Sequence, residues 1–412
     1  MRKLICVSLA SLFSAAVYAA VAPVPVPQSP LQSQIRPEAQ TSVFQQPTVK
    51  GQPTMLNPGA PVLSANGYFL QDINSGKVLA SQNPDVRMAP ASLTKLMTLY
   101  LTFEALQANR IHLNDKVTIS TDAWQTGGSR MFVKAGDQVA VSDLIQGVIV
   151  DSGNDACTAL AEYVGGTQPG FVNLMNQQAQ LLGMKNTHYV DVTGLPDPNH
   201  YSTPRDIGVL ARAIILNFPQ YYHFFGEKTL TYDNITQPNR NRLLWSDPSV
   251  DGLKTGHTDA AGYCLVSSAD RNGMRLLSVL LGAPTDAARS LFSEDLLNYG
   301  YRFFETHKVY AADQALQNAT VYFGKTNLVP VGLSRDFYVT VPAGEYSKVT
   351  TNFKLFTPLK APLKQGEAVG SVGVVLNGQP LGSENLVALS SVQRGGLVTR
   401  LVSHVKLALG KI

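Results

Sequence analysis

The stretch Pro90-Ala91-Ser92-Leu93-Thr94-Lys95 opens an apolar run whose reading decides the fold. Proline suits a first helical position, where its missing N–H would have no partner. Leu93, Leu96, Met97, Leu99, Tyr100, Leu101, Phe103 and Leu106 then make the predicted helix apolar on nearly every side, so it must be an interior element. Ser92 and Lys95 share a face of its first turn. The amine can reach the hydroxyl there, beside a helix N-terminus that favours negative charge. That is the geometry of an activated nucleophile. A lysine snorkelling from a core helix is spelled the same way, and Ser403-His404-Val405-Lys406 repeats the pattern by chance, so the tetrapeptide needs support from elsewhere.

The neighbouring segments predict a sheet for this helix to pack on. Gly67-Tyr68-Phe69-Leu70 and Val78-Leu79-Ala80 flank the turn Asn74-Ser75-Gly76-Lys77 as a hairpin. Tyr263 to Ala269 and Met274 to Leu281 form a second hairpin through Asp270-Arg271-Asn272-Gly273. Between about Leu113 and Leu244 the signals are helical. Ser142-Asp143 precedes Leu144 to Val150, Phe171 to Leu182 is amphipathic, and Thr203-Pro204-Arg205-Asp206 opens Ile207 to Leu216. A helix from about Asp286 to Tyr299 ends the unit. Strands at both ends of a helical middle predict an α/β (α+β) domain over residues 62–307. Its antiparallel sheet is closed by the first and last segments, and an inserted helical lobe packs against it.

After Lys308 the texture changes to short strands: Thr320 to Phe323, Phe337 to Val341, Lys348 to Phe356, and Val372 to Leu376 running into Asn377-Gly378. Residues 308–389 are expected to be a small all-β domain with a spacer or docking role. Gly395 and Gly396 look like a joint, and the end of the chain, 390–412, is expected to be an amphipathic helix. It gathers Leu397, Val398, Leu401, Val402, Val405, Leu409 and Ile412 on one face, with Arg400, His404, Lys406 and Lys411 elsewhere. Too charged to span a bilayer, it suits an anionic membrane surface.

At the other end, Arg2 and Lys3 precede an apolar run, Leu4 to Val17, with small residues framing a cleavage point after Ala19. Residues 1–19 read as a secretory signal peptide, and 20–61 as a linker rich in proline and glutamine. Export is therefore expected, to the periplasmic face of the inner membrane if the last helix anchors there. Cys6 leaves with the signal, and Cys157 and Cys264 sit in apolar segments as expected buried free thiols. A chain of 412 residues that is 44% hydrophobic and 15% charged is globular, and a net charge of +4 without a basic stripe gives no case for nucleic acid.

Two motifs downstream answer the need of a serine enzyme with a lysine base. Ser152-Gly153-Asn154 lies on a predicted tight turn between helices, and Lys254-Thr255-Gly256 ends a predicted strand, with glycine allowing close approach of a substrate. Ser64-Ala65-Asn66 and Ser383-Glu384-Asn385 also match the first form, but only Ser152 lies between the other two motifs. No serine sits in a nucleophile-elbow pattern, and no histidine pair has the His-Glu-x-x-His spacing of a zinc peptidase. No cofactor or metal is expected.

The ordered triple resembles the penicillin-recognising serine acyltransferases of the β-lactamase/transpeptidase-like fold. It is most similar to the low-molecular-mass penicillin-binding proteins that are D-alanyl-D-alanine carboxypeptidases. The likeness runs from about Gly67 to Ile412 and includes Ser152-Gly153-Asn154-Asp155-Ala156-Cys157, Lys254-Thr255-Gly256-His257-Thr258 and Tyr301-Arg302-Phe303-Phe304-Glu305-Thr306. The loop Gln125-Thr126-Gly127-Gly128-Ser129-Arg130 is short against the family pattern.

The resemblance implies roles. Ser92 attacks the carbonyl between two D-alanines of a peptidoglycan pentapeptide, Lys95 accepts its proton, and β-lactams acylate the same serine. Lys95 must be neutral to do so, which burial and a second cation, Lys254, would favour. Ser152 relays a proton to the departing amine, and Asn154 holds Lys95 and the substrate amide. The oxyanion meets the backbone N–H groups of Ser92 and His257. Thr255 and Arg289 hold the terminal carboxylate, beside Gly256. A β-lactamase of the same superfamily would need a further glutamate to activate water, and neither Glu162 nor Glu227 lies in a Glu-x-x-x-Asn setting. A D,D-endopeptidase and a non-catalytic penicillin-binding scaffold are also compatible with these motifs.

Overall fold

The computed structural model describes residues 59–409, so the expected signal peptide, the linker as far as residue 58 and residues 410–412 lie outside the described residues. β1, Gly67–Asp72, and β2, Val78–Gln82, form the expected hairpin. The segment Ala91–Thr94 is a single 3-10 turn that runs straight into α1, Lys95–Gln107. Regular helix thus begins after Pro90 rather than at it. Ala91 takes a φ of +48°, a left-handed conformation that interrupts the helix at its first residue. Beyond it, Leu96, Met97, Leu99 and Phe103 have no exposed surface, as an interior helix requires.

The helical lobe follows. β3, Lys116–Thr118, pairs with β4, Gln138–Ala140, around α2, Thr121–Gln125. α3, Val141–Gln146, continues into a π-helical turn, Gly147–Asp151. The expected cap at Ser142-Asp143 lies inside α3, whose N-cap is Ala140. After Ser152 and Gly153 the chain resumes as α4, Asn154–Gly165, followed by α5, Gln168–Leu181, and α6, Pro204–Asn217. Thr203 caps α6 by accepting from the Asp206 N–H at 3.1 Å. A small hairpin, β5, Thr229–Tyr232, and β6, Ile235–Pro238, leads to the short α7, Leu243–Ser246.

β7, Val250–Thr258, β8, Gly262–Arg271, and β9, Met274–Ala283, complete a five-stranded sheet in the order β2-β1-β9-β8-β7, with every pair antiparallel. The first hairpin is thereby joined to the last through β1 and β9. Asn272 and Gly273 turn β8 into β9 with φ of +55° and +82°, as a two-residue hairpin demands. Both faces of the sheet are buried. Phe69, Leu277, Val279 and Leu281 belong to the core shared with α1 and the lobe. Tyr68, Leu70, Leu276 and Leu280 alternate with them into a second core under α8, Asp286–Phe303.

α8 passes without a linker into β10, Phe304–Tyr310. Then come β11, Gln317–Tyr322, β12, Leu328–Gly332, β13, Phe337–Pro342, β14, Val349–Leu355, β15, Leu359–Lys360, β16, Ala368–Leu376, and β17, Gln379–Ala388. β10 pairs with β13, and the other six strands form one sheet over a valine-rich core that includes Val329, Val331, Val372 and Val374. The two domains are tied by a polar cluster. Asp72, with no exposed surface, accepts from Ser75 Oγ at 2.7 Å and Thr306 Oγ1 at 2.9 Å. Thr340 Oγ1 lies 2.5 Å from Ser75 Oγ and 2.8 Å from Thr306 Oγ1.

Past β17, bridges Leu363–Val392 and Gly324–Arg394 keep the chain on the β domain. α9, Leu397–Leu409, then seats its polar edge: Ser403 Oγ accepts from the Phe323 N–H at 2.9 Å, and the His404 ring meets Phe323 edge-on. Leu397, Val398, Leu401 and Leu409 point outward, 66% to 81% exposed. Among the described residues no helix is long and apolar enough to cross a membrane.

Candidate active site

The 3-10 turn that carries Ser92 is gripped from two sides by glycine. A Cβ on Gly194, whose φ is +90°, would overlap the Ala91 carbonyl, and a Cβ on Gly256 would stand 3.2 Å from both the Pro90 carbonyl oxygen and the Ser92 nitrogen. The glycine of Lys254-Thr255-Gly256 therefore admits the nucleophile's own backbone, where sequence reasoning had it admitting a substrate. The strand and the turn are in contact before any ligand arrives.

Lys95 has no exposed surface, and its Nζ donates to Ser92 Oγ at 2.9 Å and to the Thr193 carbonyl at 2.8 Å. Thr193 is held for this by Asp191, whose Oδ1 accepts from the Thr193 and Gly194 N–H groups at 2.6 and 2.7 Å. His200 lies 3.3 Å from Asp191 and 2.8 Å from the Thr94 hydroxyl, closing a ring of contacts back to α1. Burial opposes ionisation of Asp191, but the hydrogen bonds from His200, Gly194 and Thr193 outweigh it and hold the carboxyl well below its usual range.

Ser152 follows the π-helical turn in a left-handed conformation, φ +57°, which lifts its hydroxyl toward β7. Lys254 Nζ donates to Ser152 Oγ at 2.9 Å and to the Thr255 carbonyl at 3.0 Å. Ser152 and Lys254 are nearly as buried as Lys95. The site thus consists of two hydroxyl–amine pairs, one on α1 and one between the lobe and the sheet.

Burial pushes the Lys95 amine down to about 8, and the nearby Arg240 guanidinium adds to the effect. The Lys254 amine is in turn pushed well below its ordinary value, by burial first and then by Lys95, Arg240 and Arg289, so the two amines repel one another. Asp151, beside Ser152, is raised to about 7 by burial.

The two serines face a cleft of about 480 Å³ that Thr255, Gly256, His257 and Arg289 also line. The His257 ring lies against Tyr263, with centroids 4.0 Å apart. Arg289, near the start of α8, is 5% exposed; it pairs with Asp286 and donates to the Arg240 carbonyl at 3.2 Å. Asn154 Nδ2 donates to the Gly127 carbonyl at 2.5 Å, in the 125–130 loop, while the Lys95 amine donates to Ser92 and to the Thr193 carbonyl. Glu162 accepts from Ser120 and Gln168, and Glu227 from Gln146, and neither lines the cleft. Cys157 and Cys264 are free and buried, as expected.

Sequence reasoning missed Thr193, Asp191, His200, Arg240 and Tyr263. The Asp191-Val192-Thr193-Gly194 stretch carries a turn signature that could have flagged its loop. Nothing in the order of residues shows that this loop backs Lys95.

Two buried amines serving two hydroxyls over one cleft define a serine-type peptidase site. The chain belongs to the D-alanyl-D-alanine carboxypeptidase family: the family model of that description matches residues 54–285, and a second, described as penicillin-binding protein 5, C-terminal domain, matches 304–394. D-alanyl-D-alanine carboxypeptidase DacC of Escherichia coli is 46% identical over 354 residues, covering 84% of this chain and 88% of the relative. DacA of the same organism is 42% identical over 362 residues, covering 86% and 90%. Among solved structures, penicillin binding protein 5 from Haemophilus influenzae superposes with a TM-score of 0.77 at 43% identity, covering 82% of this chain and all of the other.

Proposed function

We propose that this serine-type D-alanyl-D-alanine carboxypeptidase works by acylation of Ser92 with Lys95 as base. The observation that carries the assignment is the 2.9 Å contact between Lys95 Nζ and Ser92 Oγ at a fully buried amine whose pKa has fallen to about 8. Loss of one proton from the crowded pair of lysines leaves Lys95 able to take the Ser92 proton as Oγ bonds to the carbonyl carbon between the two D-alanines. The oxyanion is received by the backbone N–H groups of Ser92 and His257, which the Gly256 contact holds in fixed relation. The proton then passes to the departing D-alanine nitrogen through Ser152, whose hydroxyl Lys254 orients. Asn154 and the 127–130 loop border the peptide, and Thr255 and Arg289 receive its terminal carboxylate. Water completes the cycle by releasing the shortened peptide from Ser92.

A penicillin enters by the same first step. With both glutamates of the lobe engaged away from the cleft, release of the penicilloyl group is expected to be slow. The outward apolar face of α9 supports attachment of the exported protein to the anionic outer surface of the inner membrane, with the β domain between anchor and enzyme. A catalytic domain over 62–307, a β domain that begins near 308 and extends past 389 to the bridges at Val392 and Arg394, and the terminal helix after it, following a signal and linker over 1–61, complete the reading.

The test is intact-mass analysis after penicillin treatment, followed by peptide mapping, together with D-alanine release from a pentapeptide. One adduct on the Ser92 peptide and release of D-alanine are expected. An adduct mapped elsewhere overturns the assignment.

A further inference from the structure

The amine that serves as base is held from behind. A neutral amine has one lone pair and two N–H bonds, so Lys95 takes a proton from Ser92 only when the lone pair, rather than an N–H, faces the hydroxyl. The Thr193 carbonyl, 2.8 Å from Lys95 Nζ, accepts one N–H and so fixes how the amine is turned. That carbonyl belongs to the same planar peptide group as the Gly194 N–H, and whatever grips the N–H directs the oxygen on the opposite edge. The grip is a carboxylate. Asp191 Oδ1 accepts from the Gly194 N–H at 2.7 Å, from the Thr193 N–H at 2.6 Å and from the Thr193 hydroxyl at 2.9 Å.

The other carboxylate oxygen serves the nucleophile's turn. Asp191 Oδ2 lies 3.3 Å from His200 Nδ1, and Nε2 of the same buried ring lies 2.8 Å from Thr94 Oγ1. Thr94 ends the 3-10 turn, between Ser92 and Lys95. A Cβ on Gly194 would fall 2.7 Å from Thr94 Oγ1, so glycine lets the Asp191 loop lie directly on that turn. Hydroxyl, imidazole and carboxylate follow one another as in a serine-protease relay. Thr94, however, is 1% exposed and does not line the cleft, and neither do His200 and Asp191. The relay therefore has no substrate to act on, and what it can do is hold.

We propose that Asp191, tied to His200, is a positioning residue for acylation, one carboxylate setting both the Thr193 carbonyl on Lys95 and the Thr94 end of the nucleophile's turn so that the amine is aimed at Ser92. The inference rests on Lys95 as the base and adds what orients it. The carboxylate also acts through its charge. The titratable and charged groups that face Lys95 are Asp191 from this loop, Cys157 and Asp155 from α4, Lys254 from β7 and Arg240 from the loop after β6. Asp155 is taken up by the N–H groups of Met131 and Phe132 at 2.9 and 2.8 Å. Asp191 favours the ammonium form of Lys95, against burial and Arg240. Removing its charge frees the amine at lower pH, whereas removing its oxygens lets the amine turn.

The experiment follows single-turnover acylation of the full chain by a penicillin between about pH 5 and 10, with the acylation rate constant separated from the binding that precedes it. Asp191→Ala is expected to lower the high-pH plateau of the rate constant by about tenfold or more and to change prior binding by less than about threefold. Asp191→Asn keeps an oxygen for the Thr193 and Gly194 N–H groups. It is expected to recover most of the lost plateau and to move the midpoint of the profile down by about half a pH unit or more. A plateau in Asp191→Ala within about twofold of wild type overturns the proposal. So does an equal loss in both variants with the midpoint unmoved, which is what a merely structural role would give. Where Asp191→Ala fails to unfold cooperatively, Asp191→Asn is judged by its midpoint, and a wild-type midpoint overturns the proposal. A wild type whose rate constant does not vary with pH brings down the reading of Lys95 as base instead.

Discussion

A lysine with no exposed surface and an amine at about 8 fixes the pH response of the nucleophile beside it. Below that value Lys95 keeps its proton and cannot accept another from Ser92. The rate constant for acylation by a penicillin is therefore expected to climb with pH and level off above about 8, measured under single-turnover conditions. A flat profile between about pH 6 and 9 would contradict Lys95 as the base. The same depression acts on stability. Between about 8 and its ordinary 10.5 the folded protein binds fewer protons at this amine than the unfolded chain does, so its contribution to stability rises with pH across that window. Below about 8 the penalty is present in full.

Arg289 yields a second expectation at this scale. Removing it leaves Asp286 with Arg242, so no carboxylate is stranded. Arg289→Ala should lose about 2–4 kcal/mol of transition-state stabilisation on a free-acid peptide and little on the matched amide. An equal loss on both would assign it to structure. Ser92, Lys95, Ser152 and Lys254 were legible because each pair's chemistry is written in short motifs whose order along the chain is restrictive. Thr193 and Arg240 were not, since a backbone carbonyl has no sequence signature and an arginine between two asparagines reads as surface loop.

Among the elements, the contact of β7 with the nucleophile's turn is the most sensitive. A methyl group at position 256 would press on the Pro90 carbonyl oxygen and Ser92 nitrogen at 3.2 Å, and either the strand or the turn must yield by a few tenths of an ångström. Gly256→Ala is expected to slow acylation by about tenfold, since near-attack geometry tolerates little displacement, while the unfolding midpoint changes little. An unaltered rate would show that the turn gives way freely. The interdomain cluster makes a different prediction. Asp72→Ala leaves the hydroxyls of Ser75 and Thr306 without their buried acceptor and should cost about 2–3 kcal/mol in urea unfolding. The hairpins and long helices were legible from turn residues and apolar period. The π-helical turn before Ser152 and the left-handed Ala91 were not, because packing against Met131, Gly194 and Gly256 imposes them.

For the whole molecule, the order of domains was legible from the change in texture after Lys308, but the place where the β domain lets go of the chain was not. Val392 lies in that domain's core and bridges Leu363, so a cut near Ser390 would remove part of it. Truncation after Gly396 is the appropriate test. The shortened protein is expected to leave the membrane fraction with turnover within about twofold of the full chain, as for a segment remote from the chemistry. Retention on membranes, or loss of activity in a folded product, would contradict an anchoring role for α9.

The hydroxyl and carboxylate cluster at Asp72 and the seat of Ser403 on the β domain leave no slack joint between cleft and last helix. If α9 lies on a lipid surface, as proposed, the catalytic mouth is a blade on a fixed post. Which peptides it trims is then set by their altitude above the bilayer, and a bacterium could retune the depth of wall being pruned by lengthening or shortening the post, without touching the edge of the blade.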